Sequence, residues 1–164
     1  MDRFSVLGID PGLAETGYGV IEISQRQGVA REWNVFSTDS KELFPQRLQG
    51  IYTHFFDIIE AWSIRILVLE DVFVLPRYPK AALQLGAVIG VLKLAASLRG
   101  VEVIELKPTE VKMALTGNGR ANKAQVEKSV RRILGLEGKI ESQHASDALA
   151  LAVVGLSRSG LVRW

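Results

Sequence analysis

Ile64-Arg65-Ile66-Leu67-Val68-Leu69 is a short, nearly unbroken apolar run rich in branched side chains, and it stops at an acid, Glu70. A strand of that composition is stable only when both of its faces are covered, which places it inside a sheet with helices on either side. The flanking segments agree. Residues 4–9 read as another buried strand, halted by the turn residues Asp10-Pro11-Gly12, and residues 17–23 read as the next. The short turn between them predicts an antiparallel hairpin. A third strand over residues 30–38 precedes Leu43, Phe44, Leu48, Ile51, Phe55, Ile58, Ile59 and Trp62, which recur at helical spacing.

Residues 80–98 read as a second long helix, apolar around much of its girth, with Gly86, Ala87 and Gly90 along one face. Residues 101–105 supply a fifth strand, and residues 107–115, 123–134 and 143–157 read as three further helices. Three consecutive strands followed by strands alternating with helices define an α/β fold: a mixed sheet of about five strands, the first three antiparallel, with helices on both faces. At 164 residues the expectation is one domain over 1–164, ending in a short tail.

Composition removes several classes of chemistry. There is no cysteine, which excludes disulfides, thiolate zinc sites and cysteine nucleophiles, so any metal must be held by oxygen or imidazole. No uninterrupted apolar run approaches the roughly 18 residues of a membrane span, and Met1-Asp2-Arg3 leads into a strand without a signal-peptide core. A soluble, cytoplasmic protein is expected. The net charge is only +2, but residues 107–139 carry eight Lys and Arg against three Glu. Such a stretch suits a surface that meets phosphate, and it also suits a solvated helix face.

Asp10 and Glu70 each follow a buried strand, the position where α/β sheets build their sites. Asp-Pro-Gly is also ordinary turn chemistry. His144 and Asp147 lie on one face at the start of an otherwise apolar helix, where an acid can equally serve as a cap. Carboxylates gathered at such ends repel one another unless a cation intervenes. Hard oxygen donors suit Mg²⁺ or Mn²⁺, and a pair of such ions can activate water and stabilise the departing oxygen of a phosphodiester.

These residues carry a resemblance. Leu7-Gly8-Ile9-Asp10-Pro11-Gly12 with Thr16-Gly17-Tyr18-Gly19-Val20, then Leu69-Glu70-Asp71-Val72-Phe73, then residues 107–123, then His144-Ala145-Ser146-Asp147-Ala148-Leu149-Ala150, resemble the ordered motifs of RuvC-type Holliday-junction resolvases, of ribonuclease H-like fold. The similarity spans nearly the whole chain. It implies a homodimeric endonuclease that makes paired symmetric nicks in four-way DNA during recombination and repair, together with a RuvAB-type branch-migration partner.

Carried over residue by residue, the resemblance assigns metal ligation to Asp10, Glu70 and Asp147, with His144 where many relatives have Asp, and two Mg²⁺ or Mn²⁺ ions per site. Lys112 and Lys123 match positions near the scissile phosphate, while Lys107, Gly117, Asn118 and Arg120 lie in the same basic segment and are expected to meet DNA. Phe73 matches an aromatic that stacks on an unpaired base, with Arg77, Tyr78 and Lys80 extending that loop. Leu83, Gly86, Ala87 and Gly90 fall on the family's dimerisation helix. An actin-like ATPase shares the opening Gly-Ile-Asp-x-Gly pattern but needs two such domains; an RNA-processing nuclease would share the metal site, and a non-catalytic DNA-binding module would keep the fold with a decayed site.

Overall fold

The computed structural model describes residues 4–25, 27–72 and 78–162. Five strands, β1 (Phe4–Asp10), β2 (Glu15–Ser24), β3 (Gln27–Ser37), β4 (Ile64–Glu70) and β5 (Glu102–Leu106), form one sheet in the order β3-β2-β1-β4-β5. The β1–β2 and β2–β3 pairs are antiparallel, and the β1–β4 and β4–β5 pairs are parallel. This is the mixed sheet that the sequence pattern implies. Helix α1 (Phe44–Ala61) leads into β4, and α2 (Pro79–Leu98) leads into β5. Helices α3 (Pro108–Thr116), α4 (Lys123–Leu134) and α5 (Gln143–Arg158) complete the described chain.

Two apolar clusters, one on each face, explain why β1 and β4 can be so hydrophobic. Leu7, Ile9, Leu67 and Leu69 point to one side, where Ile51 and Phe55 of α1 and Val88 and Leu92 of α2 cover them. Val6, Ile66 and Val68 belong to the other cluster, with Leu149, Val153 and Leu156 of α5, Val111 of α3 and Val130 of α4. Strand side chains alternate between faces, so each strand feeds both clusters.

Helix α5 sits unusually close to the sheet, and glycines allow it. A Cβ on Gly8 would stand 2.0 Å from the Ala148 carbonyl oxygen, one on Gly17 would stand 2.2 Å from that of His144, and one on Gly19 would meet Leu149 at 2.7 Å. Gly8 and Gly19 face each other across the β1–β2 ladder, and Gly17 faces Asp10. The side-chain-free track lets the α5 backbone rest on the two strands, with its N-terminal turn over the carboxyl end of β1. Residues 145 to 156 of α5 are buried, apart from partly exposed Asp147.

Helix α2 is apolar around much of its girth, as its sequence implies. It has 20 residues and a mean hydropathy of 1.8, so by length and composition alone it could cross a membrane, although only 22% of that stretch is buried within the chain. Val88, Leu92, Ala95 and Ala96 dock it onto the sheet, and Lys93 pairs with Glu105 of β5 at 2.8 Å. Leu83, Leu94 and Leu98 remain exposed, at 77%, 52% and 60%.

Candidate active site

The parallel register between β1 and β4 builds the site's base. Ile9 pairs with Leu69, so Asp10 and Glu70 are the next residues along two neighbouring strands, whose separation in any sheet is about 4.8 Å. Gly8 faces α5. By strand alternation Asp10, two residues on, faces α5 as well. There His144 Nδ1 lies 2.7 Å from Asp10 Oδ2, and His144 Nε2 lies 3.6 Å from Glu15 Oε2. Asp147, on the same helix face, accepts hydrogen bonds from Lys123 Nζ at 3.1 Å and Gln143 Nε2 at 2.9 Å.

The caps of these helices are supplied by other residues. Ser142 accepts the amide hydrogen of Ala145 at the start of α5, so Asp147 has no capping duty. Asn122 and Gln125 exchange reciprocal hydrogen bonds of 2.9 Å at the start of α4, which holds Lys123 at the first helical position facing Asp147. The amino ends of α4 and α5 thus point toward the carboxylates, the favourable direction for the helix dipole.

The charges of the three acids act on one another. Burial raises the Glu70 pKa, and the negative charges of Asp10 and Asp147 raise it further, opposed by Lys123 and Lys112. Burial likewise raises that of Asp10; the hydrogen bond from His144 opposes it, and the charge of Asp147 adds to it. Among the described residues, no three His, Asp or Glu side chains are drawn together tightly enough to enclose an ion as they stand. Asp10 is turned to His144, and Asp147 to Lys123 and Gln143. The donor set of three mutually repelling carboxylates and an imidazole suits a hard divalent cation.

The other predicted residues spread around this centre. Lys112 is half-buried on α3, within electrostatic reach of Glu70. Lys107 is exposed before α3, its amide capped by Glu110 Oε2 at 2.9 Å. Gly117 closes α3 in the left-handed region at φ 72°, and Asn118 Oδ1 accepts the Arg120 amide hydrogen at 2.9 Å, leaving the Arg120 side chain exposed. Tyr78 and Lys80 are exposed at the head of α2. Phe73 and Arg77 lie outside the described residues. Leu83, Gly86 and Gly90 are exposed and Ala87 half-buried, and an added Cβ on either glycine would meet nothing within 4 Å.

Three features of the site lie outside the sequence reading: Gln143, Glu15, and the seating of α5 on Gly8, Gly17 and Gly19. Only the glycines left a signal, since repeated Gly within buried strands marks close backbone approach.

An antiparallel-then-parallel sheet with a helix laid across the ends of its central strands is the ribonuclease H-like fold that resolvases share. The family model of crossover junction endodeoxyribonuclease RuvC matches residues 6–155. A relative of that name from Moorella thermoacetica is 40% identical over 90% of this chain and 88% of its own. The solved Thermus thermophilus RuvC is 30% identical with a TM-score of 0.86, covering 98% of this chain and 99% of that one. The same protein in complex with a Holliday junction substrate superposes with a TM-score of 0.83 at 28% identity, covering 98% of each chain. The chain belongs to the RuvC family of crossover junction endodeoxyribonucleases.

Proposed function

We propose that this protein resolves four-way DNA junctions in recombination and repair by hydrolysing phosphodiesters at the centre formed by Asp10, Glu70 and Asp147, with His144 completing the donor set. The observation that carries this reading is the pairing of Ile9 with Leu69, which brings Asp10 and Glu70 side by side beneath the amino end of α5. Family membership supports the substrate, since the Thermus thermophilus relative has been solved with a Holliday junction.

The RuvC reaction depends on a metal, and these four residues would hold Mg²⁺ or Mn²⁺, two ions per site. When bound, such cations lower the pKa of water and stabilise negative charge on phosphate oxygens. The chain's own residues do the rest. Burial and the negative charges of Asp10 and Asp147 disfavour the ionised form of Glu70, against the pull of Lys123 and Lys112, and a cation there would favour it. Lys123, paired with Asp147 in this arrangement, would be available to a phosphate where Asp147 holds a cation, and Lys112, whose charge acts on Glu70, would share that task. Lys107, Gly117, Asn118 and Arg120 would contact the backbone on one side, and Phe73, Arg77, Tyr78 and Lys80 the opened bases on the other.

The chain acts as one domain in the cytoplasm, as a homodimer through α2, so that two centres nick opposed strands. The exposed Leu83, Leu94 and Leu98 and the open space before Gly86 and Gly90 support that interface. A RuvAB-type motor is the expected partner. A panel of synthetic four-way junction, linear duplex and structured RNA, each with Mg²⁺, Mn²⁺ or chelator, tests the proposal. Symmetric nicks in the junction alone, abolished by chelator, are expected; equal cutting of duplex or RNA would overturn it.

A further inference from the structure

A concavity of about 1080 Å³ lies between the end of α3, α4 and the segment that follows α4. Lys128, Arg131, Arg132 and Lys139 line it, together with Leu115 and Leu136. Among the described residues none of these four cations has an acidic partner within ion-pair distance, and Arg131 Nε is buried with no hydrogen-bond partner. Two carboxylates share the lining, but Glu127 is buried and accepts the Ile140 amide hydrogen at 3.1 Å, and Glu137 is exposed. Arg131 and Arg132 sit in the last turn of α4, where the helix dipole favours them. That effect does not account for Lys128 or Lys139.

We infer that this groove is a second DNA contact, taking the phosphate backbone of a duplex arm as it leaves the crossover. The inference rests on the junction-cutting reading above and adds a surface to it. Charge favours DNA: four cations without an acidic partner among the described residues and the unpartnered Arg131 Nε gather in one groove, beside α4, the helix whose first residue, Lys123, pairs with Asp147. Its 12 residues span about 18 Å, the length of roughly five base pairs. An acidic peptide is the other anionic occupant; Leu115 is buried and Leu136 half-buried, which leaves no fully exposed large apolar anchor in the groove.

The test is the salt dependence of DNA binding by the full chain, with chelator present to prevent cutting. Lys128→Ala/Arg132→Ala/Lys139→Ala should lower the slope of log affinity against log salt by roughly 2.7, so that wild type loses about 40-fold more affinity than the variant between 50 and 200 mM salt. The charge-keeping set Lys128→Arg/Arg132→Lys/Lys139→Arg should restore the slope. Thermal melting of both variants separates loss of fold from loss of contact, and the charge-keeping set carries the comparison if the alanine set melts early. An unchanged slope overturns the groove as a DNA contact, as does loss of poly-glutamate binding with junction binding intact. Running the titration on linear duplex as well keeps the two proposals distinct, since a wild type that fails to nick junctions refutes the function above while its duplex slope still tests the groove.

Discussion

His144 Nδ1 lies 2.7 Å from Asp10 Oδ2, joining the first turn of α5 to the end of β1 across 134 residues of sequence. The contact exists because Gly17, opposite Asp10 in the ladder, has no side chain to hold the helix away.

Gly17→Ala should therefore damage the site from beneath. Its Cβ would stand 2.2 Å from the His144 carbonyl oxygen, which requires α5 to lift, at a cost of about 1–3 kcal/mol in stability. Junction cleavage should fall further than the loss of folded protein explains. Gly86→Ala, on a helix face with nothing within 4 Å, should leave monomer stability equal or raise it by up to about 1 kcal/mol. Denaturant unfolding of both variants checks the contrast, and equal destabilisation would refute the close seating of α5.

The imidazole in the donor set has a consequence for metal choice. It is a softer ligand than carboxylate and is neutral when it binds, so Mn²⁺ should support turnover at least as well as Mg²⁺. His144→Asp should shift the ratio of the two rates toward Mg²⁺. Cleavage rates of wild type and variant in each metal give the answer, and an unchanged ratio would remove His144 from the donor set.

His54, far from the site in function, should set part of the acid sensitivity of the fold. It stacks on Phe36 with ring centroids 4.3 Å apart and meets Tyr18 and Phe55 edge-on. Burial lowers its pKa, against the opposing pull of Glu32 and Asp57. The fold thus favours the neutral ring. As pH falls through about 6.5 the unfolded chain takes up the proton first, and stability present above that pH is lost. Melting temperatures at pH 7.5 and 5.5 should drop more for wild type than for His54→Phe; parallel drops would show that other groups govern the acid limb.

Much of this was legible in the sequence because the strongest signals are local. The apolar run ending at Glu70, the Asp-Pro-Gly stop after β1 and the spacing of His144 and Asp147 each mark a strand or helix end, and element ends are where the sheet gathers its acids. α4 begins at Lys123 because Asn122 caps it, a signal carried by neighbouring residues. What the sequence could not show depends on side-chain partnership across the fold. Ser142 relieves Asp147 of capping, Gln143 and Lys123 hold it instead, and Glu15 approaches His144 only because β2 returns beside β1. The apolar excess of α2 was visible as composition, but its outward direction follows from which side docks on the sheet.

The most direct test of the central claim is a Mn²⁺ titration of the DNA-free protein, followed by the loss of the free-ion electron paramagnetic resonance signal. Wild type should take up Mn²⁺, and Asp10→Asn, Glu70→Gln and Asp147→Asn should each weaken uptake by about tenfold or more while melting as folded proteins. Uptake that is the same in all four proteins would contradict a shared cation site at the ends of β1, β4 and α5.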